Sequence, residues 1–136
     1  MALPNGAGGY QLGDGNLNEL VLGYNAAPQT QAATGTLTAA QVTGGMLIVG
    51  SGATAAQTYT LPTASAIDAV LTSAKAGSTF DLYVSNLGTS SGTAALALGT
   101  GVVDGANATV ALAITSAGQF RFRKTGDAAW SVYRVA

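Results

Sequence analysis

The residues in this chain that could do chemistry are few, and their spacing argues against a reaction centre. The 136 residues include no His and no Cys, the two side chains that most often serve as acid, base or nucleophile near neutral pH. Six carboxylates remain. A glycosidase needs two of them facing one sugar, yet Asp68 reads as part of a helix cap, Asp81 alternates outward on a strand, and Asp104 and Asp127 fall in glycine-bearing turns. Asp14, Asn16 and Asn18 in GDGNLNE occupy positions one, three and five of a calcium loop. Glu19 stands where that loop needs glycine, and Asn25 where it needs a bidentate glutamate. The stretch is read as an Asx-rich turn, so no metal and no other cofactor is expected. Gly99, Gly101 and Gly105 in GTGVVDG approach a phosphate-binding loop, but Asp104 replaces the third glycine and no helix follows, so a β-turn is the reading. Arg121, Arg123 and Lys124, with Tyr133 and Arg134 nearby, combine basic and aromatic groups as single-strand nucleic-acid binders do. Such charges also protect a terminal hairpin from edge-to-edge aggregation. Edge protection or a protein interface is the expectation, and the chain is read as no enzyme.

The elements that position these residues are short strands and one helix. Residues 46–50 (MLIVG) and 57–61 (QTYTL) read as strands, the second stopped by Pro62. Ser65 and Asp68 form an S-x-x-D capping pair, Ile67, Val70, Leu71 and Ala74 recur at helical spacing, and Gly77 stands as C-cap. TFDLYVSN over 79–86 alternates, with Phe80, Leu82 and Val84 on one face and Asp81, Tyr83 and Ser85 on the other. Residues 93–98, 108–114, 119–124 and 129–135 are further strands, divided by glycine turns at the repeat of roughly 8–12 residues found in sandwiches and barrels. In the last two, placing Phe120, Phe122, Trp130 and Val132 inward demands an odd-length loop, met by three residues centred on Gly126. Gln119, Arg121, Arg123, Ser131, Tyr133 and Val135 then share the other face.

Residues 1–45 behave differently. They are rich in Gly, Asn, Gln, Ala and Thr with isolated apolar residues and no sustained period, too polar to offset their own ordering entropy. They are read as an extended N-terminal arm, with Leu3, Tyr10, Leu12, Leu20, Leu22 and Tyr24 as anchors for a partner's groove or sheet edge. Within it, Thr38 and Gln41 fit the capping box of a short helical turn ended by Gly44 and Gly45, a hinge onto the β domain at 46–136. The fold class is thus mainly β: a compact antiparallel β-sandwich or barrel-like domain with one short α-helix and an extended arm.

Composition points to assembly. Charged residues make up 8% of the chain and hydrophobic ones 48%, too few charges to keep a whole surface dispersed. A net charge of -1 provides no field for nucleic acid or anionic membrane. No apolar run approaches the roughly 20 residues of a membrane helix, and MALPNGAGGY has neither the basic nor the apolar region of a secretory leader. Partners should be proteins met in the cytoplasm, including further copies of the chain.

Three stretches carry a resemblance: LTAAQVTGG, then YTLPTASAIDAVLTSAKAGSTFDLYVSN, then GTGVVDG with the closing FRFRKTGDAAWSVYRV hairpin. From Leu37 to Tyr133 this order resembles the small head decoration (cement) and head-fibre proteins of tailed bacteriophages. The resemblance implies a β domain that trimerises on the outer face of a capsid, with terminal arms gripping the major capsid protein, a virion location and no catalytic residue. A fibre segment should show tandem repeats, and none is evident in the sequence. A carbohydrate-binding sandwich would expose Tyr83, Tyr133 and Trp130, but the hairpin parity turns Trp130 inward.

Overall fold

A computed structural model describes residues 22–136, and the protein is mainly β. Among the described residues nine strands and two short helices follow in the order β1 (Gln29–Gln31), β2 (Gly35–Thr36), α1 (Ala39–Thr43), β3 (Met46–Val49), β4 (Gln57–Thr60), α2 (Ala64–Val70), β5 (Thr79–Asn86), β6 (Ala94–Ala97), β7 (Val102–Ala106), β8 (Ala117–Gly126) and β9 (Ala129–Arg134). They form a six-stranded sheet of order β1-β3-β5-β8-β9-β7 and a three-stranded sheet of order β2-β4-β6. Only β5–β8 and β8–β9 are antiparallel; every other pairing is parallel. The expected antiparallel topology is therefore overturned.

The reason lies in how the chain winds. From β1 to β6 successive strands alternate between the two sheets, so each turn of chain lays one strand on each. Gln29, Leu47 and Val84 stack at one level of the larger sheet, and Gly35, Tyr59 and Leu96 at one level of the smaller. Helices α1 and α2 close the first two turns. Both repeat one local design: Thr36-Leu37 and Thr60-Leu61 end the strand, Thr38 and Thr63 cap the helix, and Val42 and Ile67, four residues past the caps, are fully buried. The amide of Leu37 donates to the Thr60 carbonyl and that of Leu61 to the Ala97 carbonyl, carrying the stacking past the strand ends. The protein thus has a structural repeat of β-β-α turns that its sequence does not display, because insertions of unequal length separate the copies.

Three further expectations change. Residues 29–45 belong to the domain and not to an arm, since β1 and β2 pair in the sheets and Leu37 and Val42 lie in the core. The α1 capping box forms as expected, with the Gln41 amide donating to the Thr38 hydroxyl oxygen at 3.2 Å and the Thr38 amide to Gln41 Oε1 at 2.8 Å. Residues 108–114 make no strand. Asp104 accepts bonds from the amides of Ala108 and Thr109, so these are unavailable to a ladder, and only Leu112 bridges to Ala94. A strand forms instead at β7, within the glycine stretch read as a turn.

Phe120, Phe122, Trp130 and Val132 all face the core, as the parity argument requires. The turn itself differs from expectation: β8 runs on to Gly126, the register shifts between Lys124 and Gly126, and Ala128 turns at a φ of 50°. Phe122 therefore opposes Val132, and Trp130 opposes Lys124. Phe80 stacks on Phe122 with centroids 4.7 Å apart and meets Trp130 edge-on at 5.4 Å. Among the described residues no helix is long and apolar enough to cross a membrane.

Candidate functional site

The larger sheet has one face in the core and one outside, and strict alternation decides which residues it presents. Leu47, Val49, Leu82, Val84, Phe120 and Phe122 point inward. Met46 and Ile48 of β3, Tyr83 and Ser85 of β5, and Ala117 and Gln119 of β8 consequently lie on the outer face, where with Ala136 they line a groove of about 500 Å³. Met46 and Tyr83 are exposed there. Ser85 and Gln119, with the Tyr83 hydroxyl, supply the groove's side-chain polarity, and no charged side chain lines it.

Beside the groove runs a polar row across β5, β8 and β9. Arg121 Nε donates to Asp81 Oδ1 at 2.8 Å and its Nη2 to Oδ2 at 3.0 Å, while Gln119 Nε2 donates to Oδ2 at 3.1 Å. The Arg121 bonds hold the Asp81 carboxyl below its ordinary range and push the guanidinium up. Tyr133 opposes Arg121 in register, and its ring packs against the α-carbon of Gly105, where any side chain would collide. Arg123 opposes Ser131 on the same face.

Lys124 departs from the basic cluster. It points inward and is only 7% exposed. Its Nζ donates to Asp68 Oδ1 at 2.7 Å and sits 5.9 Å from the Trp130 ring centroid. Asp68 also accepts from Trp130 Nε1 at 2.9 Å and from the Ala128 amide at 2.7 Å. These bonds, led by the one from Lys124, hold the Asp68 carboxyl below its ordinary range. The capping role assigned to Ser65 and Asp68 is thereby corrected. Thr63 is the N-cap, accepting from the Ala66 amide at 3.1 Å, and α2 stops at Val70, before Gly77. A capping threonine directly after Pro62 was the available signal; what Asp68 holds was not visible without the β8–β9 fold.

Leu22 and Tyr24 lie outside any helix or strand, at 86% and 95% exposure. Leu3, Tyr10, Leu12 and Leu20, with Asp14, Asn16 and Asn18, fall outside the described residues. Among those described, no three His, Cys, Asp or Glu side chains group as metal ligands. Gly99 abuts the carbonyls of Leu61 and Pro62, and Gly101 has a φ of +84° with the Ala128 carbonyl close by. Acceptors so placed repel an anion, so the glycines serve close chain packing and no phosphate cradle forms. Splitting Lys124 from Arg121 and Arg123 likewise removes a continuous basic patch. Arg134 is occupied too, donating from Nε to the Ala136 carbonyl and from Nη1 to that of Val110. The arrangement offers apolar and aromatic contact beside a neutralised ion pair. Neither a family model, nor a curated protein, nor a solved structure matches the chain.

Proposed function

We propose that this chain is a structural virion protein that binds the outer face of a phage capsid as a trimer and stabilises the shell, with the major capsid protein as its partner and no enzymatic role. The observation that carries the reading is apolar surface left uncovered on one chain. Leu22 and Tyr24 extend from the domain, Met46, Tyr83 and Val103 stand exposed on the outer sheet face, and charges are too few to keep that surface dispersed. Burying such area against neighbours is the ordinary remedy. The stacked turns favour a second reading, a segment of a head or tail fibre, since repeated turns can extend into a shaft.

Co-sedimentation with shells assembled from the virus's own major capsid protein tests the first reading. Saturable binding at three-fold positions, seen by electron microscopy, supports decoration. Density projecting from a single vertex or from a tail supports a fibre, and absence of binding together with a dispersed monomer overturns both. Because few charges are available, binding is expected to change little between low and high salt.

A further inference from the structure

Two features of this chain fit one another and are unsatisfied within a single copy. The first is the outer-face groove lined by Met46, Ile48, Tyr83, Ala117 and Gln119, of a volume within the range of about 300–1,000 Å³ that holds a compact ligand or a pair of large side chains. The second is the segment carrying the exposed Leu22 and Tyr24, alternate residues about Gly23 that would turn to one side when the segment lies extended along a partner.

The path of the chain brings them close. Asn25 lies against Gly45, with its Oδ1 2.8 Å from where a side chain there would begin, and Gln29 packs beside Gly44. Gly45 immediately precedes Met46, whose side chain lines the groove. The segment thus leaves the domain at the groove's edge. Yet Tyr24 is almost wholly exposed, so it does not occupy the groove of its own copy. Neither part carries a charged side chain, which makes apolar burial the main attraction between them.

We infer that the groove on the outer face of the six-stranded sheet receives the Leu22–Tyr24 segment of a second copy of this chain. Each copy contributes one segment and one groove, so the contact is head-to-tail and closes into a ring when the rotation allows. Any closed ring, a trimer among them, leaves no segment and no groove over. The inference rests on the homo-oligomeric part of the proposed function and names the surfaces that would build it.

The chain's lack of cysteine makes a directed cross-link unambiguous. Full-length Tyr24→Cys and Ala117→Cys variants are mixed, oxidised and run on a non-reducing gel, with Val110→Cys, exposed but outside the groove, replacing Ala117→Cys as control. A heterodimer between the first two, absent with the control, is expected. Mass photometry on the disulfide-free chain reads the same contact: Leu22→Asp with Tyr24→Asp should raise the concentration for half-assembly by about tenfold or more, as loss of a buried aromatic anchor does. Tyr83→Arg should do the same from the groove side. Mixing the segment variant with the groove variant should restore a dimer, because one intact segment then meets one intact groove. The segment variant lies outside the core and keeps the test valid if Tyr83→Arg fails to fold. A wild-type trimer that survives both variants, or cross-linking only within single copies of a doubly substituted chain, overturns the arm exchange and leaves trimeric decoration standing. A wild type that is monomeric both in solution and on shells overturns the oligomer and the exchange together.

Discussion

The two faces of strand β8 carry the two ion pairs of the described residues, and they differ in what surrounds them. On the inner side Lys124 reaches Asp68 at 2.7 Å, with side-chain exposures of 9% and 24%. On the outer side Arg121 reaches Asp81 at 2.8 Å, with exposures of 49% and 28%. The bond lengths are nearly equal. The inner pair, however, is shared with Trp130 and the Ala128 amide and ties α2 to the closing hairpin, so removing Asp68 strands the buried Lys124 cation. The outer pair can exchange its partner for water at little cost. Contact distance alone therefore says little about weight, and surroundings decide which pair matters to the fold.

The largest effect expected from breaking this contrast is on the inner side. Lys124→Ala should destabilise the fold by about 1.5–3 kcal/mol, measured by chemical denaturation, because the partly exposed Asp68 loses its charge-assisted bond while keeping those from Trp130 and Ala128. Replacing both partners, Asp68→Leu with Lys124→Met, should recover much of that loss. A double variant as unstable as the single one would show that the pair is worth more than its own rescue.

Acid should expose the same asymmetry. Asp68, Asp81 and Asp104 all titrate below their ordinary value in the folded protein. Their stabilisation is thus fully present above the unfolded value of about 4 and is lost as pH falls through the lower folded values. Unfolding midpoints followed from neutral pH down to about 2 should decline below about 4, and Asp68→Asn should flatten that decline more than Asp81→Asn does. Equal flattening would place the two carboxylates on the same footing.

A smaller effect is expected at the cap that orients Asp68. Thr63→Ala should cost about 1 kcal/mol through the lost bond to the Ala66 amide, whereas Ser65→Ala, at an exposed position that does not cap, should stay within about 0.5 kcal/mol of the parent. The reverse ranking would return the cap to Ser65. Smallest of all, Arg121→Ala should cost about 0.2–1 kcal/mol, a loss that shrinks in molar salt; a salt-insensitive loss above that range would make the outer pair a structural element in its own right.

Much of this was legible in advance wherever a rule is local. Alternation in TFDLYVSN and in FRFR assigned faces correctly, because side chains on a strand point to opposite sides whatever the strand pairs with. The Thr38–Gln41 capping box formed for a similar reason, since both its bonds close within one turn. Assignments that depended on a distant partner failed. Asp68 looked like a cap because its actual partners lie 56 to 62 residues away. The basic run ending in Lys124 looked continuous because adjacent strand residues share a sequence neighbourhood but not a face.

The parallel winding was likewise out of reach. Sequence by itself determined the β class, the inward aromatics of the closing hairpin, the absence of His and Cys and the low share of charged residues. Tertiary structure decided that 29–45 are sheet and core, that GTGVVDG supplies a strand, that Met46, Tyr83 and Ala117 meet in one groove, and that Lys124 turns inward to Asp68. The physical reason is the range of the forces involved. Pleat, cap and turn preferences act over a few residues, whereas parallel pairing and the burial of an ion pair follow only when segments far apart in the chain are brought together by the common core.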